Sequence, residues 1–565
     1  MSKILVGIDV GGTFTDGVVC AGGKILDSAK HPTEEGDLQG SIFAVLDDLL
    51  QGVKKDDLAN KIIQVVLSTT LVTNLLATGG GEQVALIMIP GPGLNLKQLD
   101  FFPHTYIISG AVDFRGKIIE PLKQTQVEEI GTLITAAGIK KVAVVGKFSQ
   151  RNNSHERLVE EILKNRHPHL EIVRGFEVSG QLNFLRRAVT AYYTAVTRDK
   201  WARFADSIKK ALRKRGIVSP INILKADGGT MPLEVSLHNP CETVFSGPAA
   251  SVMGAFALTM DQQTSVVVDI GGTTTDLALI LEGRPLYASR GAVLSGRYTH
   301  VRSFAVRSMA LGGDSTLRWT GNKISVGPDR LGPAACFGGP AATPTDAVNI
   351  LEKGKLGSLS LSHRALEEIS KQAGLKVEKL AREVVRRVND RLKDGIDDMF
   401  RSWEQEPAYK IWEIVNKRQV RPDRIVGIGA AAGAFIPALA ERFGCQALVH
   451  RYSPVANALG AAVARPTLSL LLHADTQRQS YYLNLEGITG KFSSDGQLAD
   501  AKDLAQKKLQ EIAEKRGIGK YADHREIFLE EQFNMIRGWS TTGKLFDVGV
   551  QIASGIIDEF KGVQP

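Results

Sequence analysis

The residues with the clearest chemical potential occur in a pattern that is written twice. Asp9-Val10-Gly11-Gly12-Thr13-Phe14-Thr15-Asp16 returns as Asp269-Ile270-Gly271-Gly272-Thr273-Thr274-Thr275-Asp276. Each copy follows an apolar strand-like run and precedes a second one, which places Gly-Gly-Thr at a hairpin tip. Two glycines let the backbone approach an anion and turn N–H groups toward it. The threonine hydroxyls add donors, and an aspartate at the strand end can hold Mg²⁺ through water. One such segment alone is as readily a tight turn as a phosphate site. Two copies, each opening the same strand pattern, point to paired hairpins clamping one triphosphate.

Other polar clusters are weaker. Ser68-Thr69-Thr70, with Asn74 beyond, ends a buried strand and opens a helix, as either a helix N-cap or a polar edge of a cleft. Arg115, in Asp113-Phe114-Arg115-Gly116, is placed either to pair with a substrate carboxylate or as an exposed loop arginine. His155-Glu156 reads as the exposed start of a capped helix, and His167-Pro168-His169 as a turn. No HExxH, P-loop lysine or Gly-x-Ser-x-Gly occurs.

The elements that must position these groups alternate. Ile4–Ile8, Gly17–Cys20 and Lys24–Ser28 read as antiparallel strands, followed by a helix near Ile42–Leu50 and buried strands at Ile62–Leu67, Val84–Ile89 and Val142–Val145. Leu94–Leu122 is loop-rich, and a long helix runs from Phe184 toward Leu212. After Cys241 the opening pattern repeats at Val266–Ile270, Leu277–Leu281 and Pro285–Ser289. Helices are expected from Ala365 to Val415, then strands at Ile425–Ile428 and Ala447–His450. Beyond Thr467 come a strand at Ser480–Leu485, a helix at Leu504–Lys515 and a strand at Val548–Ile552. The expected division is 1–240, a first half with inserted loops; 241–466, a second half; and 467–565, a small α+β appendix.

Bulk properties exclude several classes. The chain has 565 residues, too many for one core. Its formal charge is +8, but the basic residues are scattered among acids, so no nucleic-acid partner is expected. The four cysteines have no metal-ligand or disulfide spacing and fit a reducing compartment. The N-terminus reads as a strand rather than a leader, and no run is long enough to cross a membrane. A cytoplasmic protein is expected.

Paired phosphate hairpins resemble the superfamily of acetate kinase, sugar kinases, heat-shock chaperones and actin. The wording Gly7–Asp16 is similar to the A-type subunits of the hydantoinase/oxoprolinase family. So are Ser68–Asn74, Asp113–Gly116, Ser246-Gly247-Pro248-Ala249, Leu311-Gly312-Gly313-Asp314-Ser315 and Thr345-Asp346-Ala347, in the family's order over about 3–465. The resemblance implies an α/β fold of two RNase-H-like halves around a nucleotide cleft. It implies ATP and Mg²⁺ at Asp9 and Asp269, with Asp9 holding the metal's water shell and Asp269 positioning the metal or the attacked oxygen. Gly312 and Gly313 join the nucleotide site, and Gly427-Ile428-Gly429-Ala430-Ala431 takes the position that receives the adenosine. Ser68, Thr69, Thr70, Asn74 and Arg115 become substrate-side candidates.

The implied activity is ATP-dependent phosphorylation of the carbonyl of a cyclic amide or imide to drive ring opening. The usual partner is a B-type subunit in a hetero-oligomer. Ketone carboxylation, a nucleotide-driven reactivator and a small-molecule kinase remain alternatives. One departure stands out: larger relatives carry Asp-x-His just before the Leu311–Ser315 segment, where this chain has Ala305-Val306-Arg307.

Overall fold

The computed structural model of the chain describes residues 4–34, 37–52, 62–94, 96, 101–405, 421–485 and 487–563. The expected helical stretch to Val415 lies outside the described residues after Gln405.

The first sheet is built on β1 (Ile4–Val10), buried along its whole length. Such a continuous aliphatic run belongs to a strand covered on both faces. β2 (Phe14–Ala21) and β3 (Lys24–Pro32) extend it antiparallel on one side. On the other side β4 (Ile62–Thr69) and β5 (Ile221–Leu224) run parallel to it, and β6 (Thr230–Pro232) closes the edge.

The second sheet repeats this plan. β7 (Ser265–Ile270), β8 (Thr275–Leu281) and β9 (Arg284–Pro285) form the antiparallel set, with β10 (Val306–Met309) also pairing β8. β11 (Arg424–Ile428) and β12 (Gln446–Leu448) run parallel to β7. The equivalence reaches single residues. Asp9 faces Asp16 across the first hairpin, and Asp269 faces Asp276 across the second. Gly11 N–H donates to the Phe14 carbonyl and Gly271 N–H to the Thr274 carbonyl, both at 3.0 Å.

The helices between the sheets are made of small residues because the space is small. In α3 (Ser246–Thr259) a methyl on Gly254 would lie 2.2 Å from the Ala456 carbonyl oxygen. In α5 (Ala456–Val463) one on Gly460 would lie 2.3 Å from that of Ala250. The other helices used below are α1 (Leu38–Gly52), α2 (Phe184–Lys214), α4 (Ala432–Phe443) and α6 (Leu498–Lys515).

Between β4 and β5 lies a further, four-stranded parallel sheet, which contains the expected strands at Val84–Ile89 and Val142–Val145. Its order is Glu171–Arg174, Lys141–Gly146, Val84–Ile89, Thr105–Ile107. Its inner strands are apolar enough to be read as strands, but a buried run does not say which sheet it joins.

The C-terminal part is a five-stranded antiparallel sheet with α6 on one face. It includes a thirteen-residue pair, Arg525–Arg537 with Ser540–Ile552. Arg525–Arg537 was not expected, because register shifts between Ile527 and Leu529 and between Met535 and Ile536 break the two-residue alternation. The sheet's inner face, including Leu470, Leu472 and Val548, joins the same apolar core as α3 and α5. Among the described residues no helix is long and apolar enough to cross a membrane.

Candidate active site

The two hairpins bring four aspartates together with one amide. Asp9, the last residue but one of β1, is 3% exposed. Its Oδ2 accepts a hydrogen bond from Asn457 Nδ2 at 3.3 Å, and the same nitrogen lies 3.2 Å from Asp269 Oδ2. Asn457 stands near the start of α5, the helix wedged between the halves. Ser251 of α3 also donates to Asp269 Oδ2. Burial pushes Asp9 up to about 7, against the hydrogen bonds of Ser68 and Asn457, while the charges of Asp16 and Asp269 add to the rise. Asp276 is likewise pushed up to about 7 by burial, opposed by a hydrogen bond from Ser308. Burial also raises Asp16, which Lys30 counters with a 2.6 Å hydrogen bond.

The hairpin tips face each other. A methyl on Gly272 would meet Asp314 Oδ2 at 2.7 Å and Thr13 Oγ1, from the other half, at 3.3 Å. Gly12 has open space around it. None of Gly11, Gly12, Gly271 and Gly272 takes a positive φ, so these glycines leave room rather than relieve strain. Thr13, Phe14, Thr273 and Thr274 lie at the accessible tips.

Thr15 and Thr275 depart from the expectation of phosphate contact. Alternation along the strand turns both inward, where Thr15 Oγ1 meets Thr33 Oγ1 at 2.9 Å and Thr275 Oγ1 donates to the Leu311 carbonyl at 2.6 Å. Gly312 and Gly313 are also buried, backing the second hairpin rather than facing the cleft. Gly313 N–H and Asp314 N–H donate to the Gly271 and Gly272 carbonyls at 2.9 and 2.8 Å, and a methyl on Gly312 would strike the Gly272 carbonyl.

The third turn closes on the same place. Gly429, at φ +90°, leaves β11 where a side chain would meet the Ile270 carbonyl, and only glycine takes that conformation freely. Ala430 is exposed and Ala431 half-buried at the mouth, while Gly427 is packed beneath against Ile436.

Of the substrate-side candidates, Ser68 touches Asp9 and, with Thr69, is held by Ser246 at the head of α3. Thr70 caps no helix with its side chain, and its Oγ1 accepts from the exposed Asn74 at 3.4 Å. Arg115 is not joined to this cluster. Its backbone N–H donates to Asp113 and its guanidinium stacks on Phe114 in its own turn.

His155 and Glu156 are not an exposed helix end. Glu156 is fully buried, accepting from the Gly146 and Phe176 N–H groups at 2.8 and 3.0 Å.

Asn457, Ser251 and Asp314 were missed by sequence reasoning. A lone amide in the small apolar run Ala456-Asn457-Ala458 was the available signal, since a buried amide needs partners.

The fit of a divalent cation rests on the same atoms. Asp9 Oδ1 and Asp276 Oδ1 are buried without a hydrogen-bond partner. Among the described residues no three His, Cys, Asp or Glu side chains are close enough to ligate one ion directly, so carboxylates here suit a hydrated ion.

Two sheets of one topology, with facing Gly-Gly-Thr hairpins, define an actin-like fold. The nucleotide-free structure of acetone carboxylase superposes with a TM-score of 0.70 at 17% identity over 99% of this chain and 88% of that one. That of ATP-dependent caprolactamase from Pseudomonas jessenii gives 0.70 at 19% identity, over 97% and 87%. The chain belongs to the hydantoinase/oxoprolinase family, matching its N-terminal region at 5–167 and its main region at 187–469. It is 26% identical to 5-oxoprolinase of Saccharomyces cerevisiae over 82% of its own length but spans only 41% of that protein. It is 24% identical to the caprolactamase alpha subunit of P. jessenii, over 79% of this chain and 68% of that one.

Proposed function

We propose that the chain binds Mg-ATP between the two hairpins and phosphorylates the carbonyl oxygen of a cyclic amide or imide, as one subunit of a ring-opening enzyme. The observation that carries the reading is the sharing of Asn457 by Asp9 and Asp269, which focuses both halves on one anionic point. Membership of the hydantoinase/oxoprolinase family, and its likeness to a 5-oxoprolinase and a caprolactamase, support the substrate class.

Amide resonance makes a lactam carbonyl a poor electrophile. Attack of its oxygen on the γ-phosphorus breaks the bond to ADP and, with loss of the N–H proton, leaves an O-phosphorylated imidate. Water adds to the imidate carbon, the ring C–N bond breaks as the nitrogen takes up a proton, and the acyl phosphate so formed is hydrolysed by a second water to the acid and phosphate. The N–H groups of Gly12 and Thr13 and of Gly272 and Thr273 hold the phosphates, and the Gly429–Ala431 turn takes the nucleoside. Asp9, Asp269 and Asp276 would hold the water shell of Mg²⁺, which would neutralise charge on the transferring phosphoryl group. Ser68 orients Asp9, and Asn457 fixes the distance between the carboxylates.

The position of the relatives' Asp-x-His is occupied by Arg307, which pairs with Asp398 at 2.9 Å. A separate chain for the ring-opening step is therefore part of the proposal, as is a reducing cytoplasmic setting suited to four thiols. The test is phosphate release from ATP by the purified chain with and without cyclic amides, with a ketone plus bicarbonate as the comparison. Stimulation by a lactam, hydantoin or oxoproline supports the reading. Stimulation by the ketone mixture alone moves it to carboxylation, and stimulation only by a protein moves it to a reactivator.

A further inference from the structure

A cavity of about 690 Å³ lies apart from the hairpins, and none of their residues line it. It is enclosed by the inserted region and the start of α2, by the 287–302 segment, and by one face of the C-terminal sheet. A volume of this size accommodates a small organic molecule.

Strand register writes an unusual row across that sheet face. Tyr482 pairs with His473, His473 with Asp547, and Asp547 with Glu531, and all four line the cavity. Leu470, Leu472 and Ala474, the alternate residues of the central strand, are buried in the core. His473 Nδ1 meets Asp547 Oδ1 at 2.6 Å, and Arg151 Nη2 donates to Asp547 Oδ2 at 2.8 Å from the inserted side. Burial would raise Asp547, but His473 and Arg151 together hold it below the usual carboxylate range. An ionised Asp547 only accepts, so Nδ1 donates to it and Nε2 is the ring atom left for a ligand. Among the described residues Nε2 has no hydrogen-bond partner.

The rest of the lining carries bases as well as the acids Glu177, Asp227 and Glu242. Arg186 and Arg290 both line the cavity and both lie over the Tyr298 ring, at 5.5 and 5.7 Å. Neither pairs with a carboxylate among the described residues. Beside them His300 is kept neutral, pushed down to about 3 by burial and by Arg187 and Arg186, and its Nδ1 is buried without a partner.

We propose that this cavity is a second ligand site, separate from the hairpins, for a small organic acid that also carries an N–H or O–H group. Arg186 and Arg290 receive the carboxylate, and His473 Nε2 accepts the hydrogen bond. The orientation of the imidazole by Asp547 and Arg151 is the arrangement that a hydrogen-bonded or proton-accepting histidine needs. The site requires no nucleotide, so it stands or falls apart from the phosphoryl-transfer reading.

The test uses the full chain with ¹⁵N-labelled histidine, His473 being assigned from His473→Gln. N-acetylglycine, titrated without nucleotide, is expected to shift the His473 ring signals saturably, while the neutral N-acetylglycinamide does not. Arg290→Met, at an exposed position, is expected to weaken the response on the order of tenfold, and Arg186→Met combined with it to abolish the response in a chain that still melts cooperatively. If the double variant does not fold, Arg290→Met alone decides. No shift with N-acetylglycine, an equal shift with the neutral amide, or an undiminished response in Arg290→Met overturns the proposal.

Discussion

Asp9 and Asp269 belong to different halves of the molecule yet share one donor, Asn457 Nδ2, at 3.3 and 3.2 Å. A single amide proton pair thus couples two carboxylates that would otherwise repel across the cleft. Replacing Asn457 by Ala leaves that repulsion unrelieved, and replacing it by Asp adds a further negative charge. Hydrogen bonds to charged groups contribute about 1.5–3 kcal/mol. ATP turnover is therefore expected to fall on the order of tenfold or more in Asn457→Ala and further in Asn457→Asp. Phosphate-release assays beside melting curves check this. Wild-type turnover in Asn457→Asp would show that the shared amide has no role in the reaction.

The raised aspartates give the protein without nucleotide a pH signature. Asp276 in the folded chain is pushed from 3.8 to about 7, so it stays neutral in the fold where the unfolded chain has already ionised. Its contribution to stability is fully present below about pH 4 and is lost as the pH rises through about 7. The displacement corresponds to at most about 4 kcal/mol, less where its neighbours titrate with it. Asp276→Asn should match the wild-type melting temperature more closely at about pH 5 than at about pH 8, where the variant should be the more stable. An unchanged difference between the two conditions would contradict the assignment.

The two tip glycines should behave differently. Gly12 has no neighbour within reach of an added side chain, so Gly12→Val should fold normally and lose nucleotide affinity. Gly272 faces Asp314 and Thr13 of the other half. Gly272→Val should both lose affinity and lower the melting temperature. Calorimetric titration with Mg-ATP and a melting curve for each variant separate the effects. Normal affinity in a folded Gly272→Val chain would make the second hairpin structural only.

The chain should form a complex with a second, ring-opening chain. Expressing it alone and with its genomic neighbour, then comparing mass in solution and substrate-dependent phosphate release, checks this. A monodisperse chain that alone converts a cyclic amide to its ring-opened acid would refute it.

The duplicated Asp9–Asp16 and Asp269–Asp276 segments were legible because a repeat in the sequence became a repeat in register, Asp facing Asp in both hairpins. What stayed hidden depended on tertiary contacts. Whether a threonine faces phosphate or core is set by strand parity, which turned Thr15 and Thr275 inward. Whether a glycine lines a cleft or backs a hairpin is set by what packs on it, which buried Gly312 and Gly313. The inserted sheet and the Tyr482–His473–Asp547–Glu531 row arise from strands far apart in sequence, and register shifts mask the alternation of Arg525–Arg537. Asn457 carries no local pattern beyond one amide in an apolar helix.

If both hairpins form one ATP centre, a single substitution on either side should disable it. Calorimetric titration with Mg-ATP, together with phosphate release, should be made on Asp9→Ala and Asp269→Ala beside the wild type. Removing either carboxylate takes away a support for the ion and the shared amide, so each variant should stay folded and lose nucleotide turnover by about a hundredfold or more. Unchanged ATP turnover in both variants would contradict the claim.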